Sequence, residues 1–185
     1  MGLDSVELII AFEKYFKVNI PDREAEKIYR IIDVVRYLDA TCNTTASKAE
    51  PVLSMIQNKF KDLFNLAPED PIFKRYSVAD KMFWRQAEVT TDLKIMLPDG
   101  KDPGNLNLMQ RLFYLKPGYE VAQITYGRFL EILAYVNYKT LIEPGKCNTI
   151  EALTIAVCGI TIELNGLDPY EVYPSSSFVD DLGIN

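Results

Sequence analysis

The apolar positions of this chain recur mostly at helical spacing. Over 4–17, Val6, Ile9, Ile10, Phe12 and Phe16 form a broad apolar face. Asp4, Glu7, Glu13, Lys14 and Lys17 fall elsewhere, which predicts a helix with Asp4 or Ser5 as its cap. Asn19-Ile20-Pro21-Asp22 breaks the run. Residues 22–29 read as a short helix with acids in its first turn, where the helix dipole favours them. Residues 30–39 read as another, with Ile31, Ile32, Val34, Val35 and Leu38 apolar. TCNTTASK, at 41–48, is a polar linker of small residues. A second helical set follows. It comprises 51–65, opened by a proline and turning Val52, Leu53, Ile56, Phe60, Leu63 and Phe64 to a core; 78–90, which holds Trp84; and 124–142, with Thr125 as N-cap and Pro144-Gly145 past its end. PDGKDPGN, at 98–105, is a turn-rich loop. The last long helix, 149–164, is capped by Thr149 and runs into NGLDPYEVYPSSSFVDDLGIN, a loop with a short helical turn near its end. No stretch alternates as a strand would, so the expected fold class is all-α.

The chain has 185 residues, 48% of them apolar, enough for one or two domains with a real core. No apolar run approaches the roughly 20 residues a membrane span needs, and no signal-peptide pattern opens the chain. A cytoplasmic protein without a membrane partner is expected. Charge is unevenly spread. Residues 1–40 hold eight acids and six bases, and 148–185 hold six acids and no Lys or Arg; 41–147 hold twelve acids and fourteen bases. The ends are acidic and the middle weakly basic. Acidic ends repel nucleic acid and favour a basic protein partner, although carboxylates also serve simply to keep a surface solvated.

There is no histidine, which removes Ser-His-Asp and Cys-His catalysis and the usual zinc sites. Cys42, Cys147 and Cys158 match no metal spacing and read as ordinary reduced or buried cysteines. No phosphate-binding glycine loop is present. No catalytic residue and no metal site is assigned, and no enzyme activity is expected.

The two ends together resemble an acyl carrier protein. GLDPYEVYPSSSFVDDLG, within the last segment, is similar to the long loop after that family's helix I, including the Ser-Phe and Asp-Leu-Gly that lead to helix II. VELIIAFEKYF, within Leu3–Phe16, is similar to helix II. IPDREAEKI, at 20–28, matches the approach to helix III, and DVVRYL, at 33–38, matches helix IV. The order is permuted, since helices II to IV come first and helix I last. The resemblance implies a four-helix bundle assembled from 1–40 and 148–185, a linker at 41–50 and a second helical domain at 51–147. Three arrangements satisfy the order: a circular permutant closed within one chain, a homodimer that exchanges helix I, or an order that reflects how the chain is delimited. In each, the first and last helices must meet, because neither buries its apolar face alone.

The middle resembles a carrier domain more weakly. FNLAPEDPI at 64–72 echoes ELNGLDPYEV at 163–172, DLKIMLPDG at 92–100 echoes YFKVNIPDR at 15–23, and ITYGRFLEILAYVNY at 124–138 echoes helix IV. It is either a second, degenerate copy with an insertion at 99–123 or an unrelated helical domain. If a copy, the chain rotated to start near Lys48 and end near Ser47 would be two ordinary domains in tandem.

The family carries 4'-phosphopantetheine on the serine of an Asp-Ser-Leu motif at the start of helix II. By eye Asp4-Ser5-Val6 fills that motif. By register Gly2 stands at the modified position, since Leu3-Asp4-Ser5-Val6-Glu7-Leu8 fills the six positions after it. Counting back from Pro98 as from Pro21 places Ala79 there in the middle segment. Glycine offers no hydroxyl to take a phosphate. The resemblance therefore implies either a carrier that holds acyl groups on an arm at Ser5 or at a serine supplied at the junction, or a carrier fold without an arm, kept as an interaction module. It implies an acyl cavity at Val6, Ile9, Ile10, Phe12, Ile20, Ala25, Ile28, Phe178 and Leu182. It also implies a partner face at Asp4, Glu7, Glu13, Asp180 and Asp181, for basic-surfaced biosynthetic enzymes and a phosphopantetheinyl transferase.

Overall fold

The computed structural model describes residues 3–42, 50–98 and 120–184. The linker at 43–49 and the loop and insertion at 99–119 lie outside the described residues, as does Gly2. The chain order is α1 (Leu3–Phe16), α2 (Asp22–Ala25), α3 (Ile31–Cys42), α4 (Val52–Phe60), α5 (Ile72–Arg75), α6 (Lys81–Thr91), a 3-10 turn (Val121–Gln123), α7 (Tyr126–Val136), α8 (Tyr138–Leu141) and α9 (Ile150–Asn165). Among the described residues there is no strand, only two isolated bridges, Arg30 with Ser177 and Pro71 with Thr125. No described helix is long and apolar enough to cross a membrane.

Several boundaries differ from the sequence expectation for local reasons. Helix α1 already starts at Leu3, so Asp4 and Ser5 lie inside its first turn rather than capping it. Helix α6 starts at Lys81, because the Asp80 side chain accepts the Phe83 N–H and acts as its cap. The run 124–142 is two helices. Asn137 breaks it, and its amide instead accepts the Lys94 N–H and donates to the carbonyl oxygens of Lys94 and Leu133, each at 2.8 Å. Thr125 and Thr149 do cap α7 and α9, each hydroxyl accepting a backbone N–H three residues on. Helix α5 follows Pro71 and has no counterpart in the expectation.

The position of α9 organises the molecule. Its sequence is apolar on nearly every side, and a helix of that kind is stable only when surrounded. Leu153 and the unbroken run from Ile155 to Ile162 are buried. One side of α9 packs against α1 and α3, and another against α7 and α8, while α4 packs against α7. Leu8, Phe12 and Phe16 from α1 and Val34, Val35 and Leu38 from α3 therefore share one apolar core with Phe60, Trp84, Phe129 and Leu133 of the middle segment.

Polar groups tie the halves together. Glu151 in the first turn of α9 accepts the N–H groups of Val52 at 2.8 Å and Leu53 at 3.2 Å, satisfying the open start of α4. Arg128 of α7 lies beneath the loop after α9. Its guanidinium donates to the Val172 carbonyl at 2.6 Å and the Pro169 carbonyl at 3.3 Å, pairs with Glu131 at 2.9 Å and sits 4.0 Å from the centre of the Tyr173 ring.

Two backbone arrangements occur twice. In the first, the loop after α9 clamps the segment before α3: Phe178 N–H donates to Tyr29 O at 3.0 Å, Ile31 N–H to Ser176 O at 3.2 Å and Ile32 N–H to Pro174 O at 2.8 Å. In the middle, Ile72 N–H donates to Ile124 O at 3.1 Å, while Tyr126 N–H to Asp70 O and Gly127 N–H to Pro68 O are both 2.7 Å. The spacing is the same on both sides of each clamp. In the second, α1 is followed by Lys17 in the left-handed region, and the Glu13 carboxylate accepts the Ile20 N–H at 2.7 Å. After α6, Asp92 is left-handed and Glu88 accepts the Ile95 N–H at 2.7 Å. A left-handed residue just past a helix is a common way to end one, and α9 ends in the same way at Gly166; the glutamate that accepts a backbone N–H seven residues on is common to α1 and α6.

Candidate functional site

An open groove of about 1420 Å³ lies between α1, α2 and the last segment of the chain. Phe12, fully buried, forms its floor with Leu8, Ile20 and Ala25. Ile9, Ile28 and Phe178 line its walls, and Val6 and Ile10 stand on the rim, 42% and 55% exposed. Of the positions expected for an acyl cavity, Leu182 is buried but is not among the lining residues. The groove also takes in Leu8, Tyr29, Val179 and Ile184, which the sequence reading did not assign. Leu8 was legible, being one turn before Phe12 on the same helical face. Tyr29, Val179 and Ile184 sit in irregular segments where no periodicity points inward.

The wall opposite α1 is held by backbone. The clamp between 174–178 and 29–32 fixes it, and Ile184 N–H closes back on Phe178 O at 2.8 Å. Asp33 accepts the Arg30 N–H at 2.9 Å and so caps α3. Asp181 accepts the Ser177 N–H at 2.7 Å, and Asp180 accepts from the Ser177 hydroxyl at 3.3 Å. Both aspartates remain exposed at the surface. Asp4 and Glu7 are exposed on α1. Glu13 is half-buried, lines the groove and spends one carboxylate oxygen on the Ile20 amide.

Ser5 is half-buried and lines the groove. It is the only serine or threonine of α1 and sits in its first turn, where free backbone N–H groups and the helix dipole favour an anion such as a phosphate. A hydroxyl in that turn is of the kind that can carry a phosphate ester.

The thiols offer no reactive centre at this site. Cys147 and Cys158 are buried, and burial pushes both up to about 12. Cys42, at the end of α3, is exposed, and partial burial with the nearby Asp39 raises it. Folded protein at mildly alkaline pH is expected to release one equivalent with a chromogenic disulfide reagent, and three after denaturation; more than one from folded protein would show that the α9 core opens readily.

In the middle segment, the paired arrangements align Glu88 with Glu13 and Asp92 with Lys17. Asp92 lies six residues before Pro98, whereas Lys17 lies four before Pro21, so aligning on the helix ends pairs Gly2 with Ser77, and counting from the prolines pairs it with Ala79. Ser77 is exposed, its carbonyl accepts the Trp84 indole N–H at 2.9 Å and its hydroxyl accepts the Ala79 N–H at 3.3 Å. The same alignment matches Leu8 with Phe83 and Ile9 with Trp84, and the clamp matches Leu182 with Tyr76. Those three larger rings pack on one another, with Tyr76 stacked on Phe83 at 5.1 Å and Phe83 edge-on to Trp84 at 5.1 Å. Beside α1 the structure has a groove, whereas beside α6 these aromatic side chains pack together.

The described residues form an all-helical fold with an apolar groove beside the start of α1. Curated proteins agree in part. The acyl carrier protein of Akkermansia muciniphila is 51% identical to the chain over 38 residues, 20% of this chain and 48% of that protein. That of Campylobacter fetus subsp. fetus is 60% identical over 38 residues, 20% of this chain and 49% of that protein. That of Helicobacter hepaticus is 55% identical over 39 residues, 21% of this chain and 51% of that protein. The chain spans about half the length of the curated relatives it matches. No protein-family model matches the chain, and no solved structure matches it. The chain contains an acyl carrier protein-like region.

Proposed function

We propose that the end bundle is an acyl carrier, loaded through 4'-phosphopantetheine on Ser5, and that the middle segment is a second copy of the same fold whose interior is filled. The observation that carries this reading is the apolar groove whose mouth holds the only hydroxyl of the first turns of α1. The arm, when bound, supplies a thiol that holds an acyl group as a thioester. The chain's own residues do the rest. The N-terminal turn of α1 balances the phosphate charge, Phe12 and Ile20 form an apolar floor that excludes water from the acyl chain, and the clamp at 174–178 keeps the opposite wall in place. Asp4, Glu7, Asp180 and Asp181 flank the opening and attract basic-surfaced biosynthetic enzymes and the phosphopantetheinyl transferase, a contact that salt weakens.

The matched clamps and matched helix ends support the duplication. The aromatic fill at Tyr76, Phe83 and Trp84 supports a second copy that holds no cargo.

The test is intact mass after incubation with a broad-specificity phosphopantetheinyl transferase and coenzyme A. A gain of one phosphopantetheine is expected, kept in Ser77→Ala and lost in Ser5→Ala. Loss in Ser77→Ala instead would move the arm to the middle copy and overturn its reading as cargo-free. No gain on protein shown by circular dichroism to be folded would favour an interaction module without an arm, the reading that glycine at position 2 supports.

A further inference from the structure

The first two turns of α1 expose acids, whereas the first two turns of α6 expose bases. On α6, Lys81, Met82, Arg85 and Val89 are exposed and share one side, since they recur at close to whole helical turns. Met82 is 86% and Val89 72% exposed. The opposite side of α6 buries Trp84 and Ala87. The acids of that helix point elsewhere, Glu88 to the Ile95 amide and the capping Asp80 to the Phe83 amide. On α1 the first two turns expose Asp4 and Glu7 with the apolar pair Val6 and Ile10, and Lys14 follows on the same side in the last turn. In the matched register Lys81 stands where Val6 does and Arg85 where Ile10 does. Among the described residues, Asp4, Glu7, Lys81 and Arg85 form no ion pair within the chain.

We propose that the basic, apolar face of α6 docks on the acidic, apolar face of α1 of a second copy of this chain. Each chain supplies both halves of the contact, two bases around Met82 and Val89, and two acids around Val6 and Ile10. Apolar side chains that are left in water on one chain are covered by the other, and the charges at their edge set the register. Both faces are exposed on one chain, so they do not cover each other within it. Because two different faces meet, a pair closes when the contact is made twice, and otherwise the assembly extends. The helices stay in their own bundles, so this association is distinct from an exchange of α9. It goes beyond the carrier reading and needs no prosthetic arm, and it places loading of α1 in competition with self-association.

Sedimentation of the full chain over a wide concentration range, in low and in high salt, tests this. The expected mass exceeds the 21.1 kDa of one chain, rises with concentration and falls back with salt. Lys81→Glu with Arg85→Glu, and separately Asp4→Lys with Glu7→Lys, each give single chains that remain helical by circular dichroism. Mixing the Lys81→Glu/Arg85→Glu chain with unmodified chain draws the variant into the associated species, because its α1 face is intact. A chain that stays single at every concentration, or an association untouched by both charge reversals, overturns the proposal and leaves the two faces to different partners. The outcome is separable from the carrier reading, because the Lys81→Glu/Arg85→Glu chain still gains one phosphopantetheine on Ser5.

Discussion

Gly159→Ala is expected to lower the stability of the folded chain by about 2 kcal/mol, and Gly159→Leu to prevent folding at growth temperature. Gly159 lies in the middle of α9, facing α7 and α8. A Cβ there would come within 2.6 Å of the Tyr135 carbonyl oxygen and 2.4 Å of the Tyr138 ring. Neither neighbour yields easily. The Tyr135 oxygen is backbone of α7, and the Tyr138 ring is buried, with its hydroxyl donating to Glu163 at 2.6 Å. The helices must separate along a seam where Ile155, Ile162 and Leu133 are buried. Alanine favours helix over glycine by about 1 kcal/mol, which offsets part of that loss and leaves the net effect near the value given. For a chain of this size each kcal/mol moves the midpoint by about 2–4 °C, so the alanine variant should melt about 4–8 °C lower. Thermal unfolding read by far-ultraviolet circular dichroism and by the fluorescence of Trp84, the single tryptophan, checks this. A wild-type midpoint would mean that α9 and α7 are not in contact at Gly159.

Phe64→Ala should cost about 3–5 kcal/mol, as expected for deleting a large buried ring. Phe64 is 3% exposed and lies at the centre of the aromatic fill. Its ring is stacked 5.4 Å from Phe60, edge-on to Tyr76 at 4.7 Å, and 5.6 Å and 6.2 Å from Tyr126 and Phe129. Aromatic pairs of this geometry add to simple burial, and the fully packed rings around the void cannot all collapse into it. The loss is expected in chemical denaturation as a lower midpoint with an unchanged slope. Phe64→Ala opens a cavity among these rings, and benzene or a similar small apolar ligand should raise its midpoint but not that of the unmodified chain. An effect within about 0.5 kcal/mol would mean that the cluster is loosely packed.

Much of the helical content was legible because burial on one side of a helix leaves a period in the sequence. The face of α1 that buries Leu8, Phe12 and Phe16, and the face of α3 that buries Val34, Val35 and Leu38, lie on that period. Thr125 and Thr149 were readable as caps because capping is a contact between residues three apart. The break at Asn137 was not, since its partner, Lys94, is distant in sequence. The start of α1 was misplaced by the two polar residues in its first turn, which suit a cap as well as they suit a helix start.

The wall of the groove illustrates what is shared between sequence and fold. The residues of α1 that face it were readable from spacing. Tyr29, Val179 and Ile184 were not, because irregular backbone has no period and its side chains are aimed by the clamp between 29–32 and 174–178. The register of the middle segment depended on the same distinction. Proline spacing and the helix ends give registers two residues apart there, since two residues of loop can be added at little cost. By itself, the sequence determined most of the helices, the apolar residues of their buried faces, the absence of histidine and the resemblance of the two ends. Tertiary structure alone decided that α9 packs against α1 and α3 as well as α7 and α8, that a groove lies beside α1 while aromatic rings pack beside α6, and which side chains of those two helices face solvent. Those outcomes rest on contacts between residues far apart in the chain, which local pattern does not encode.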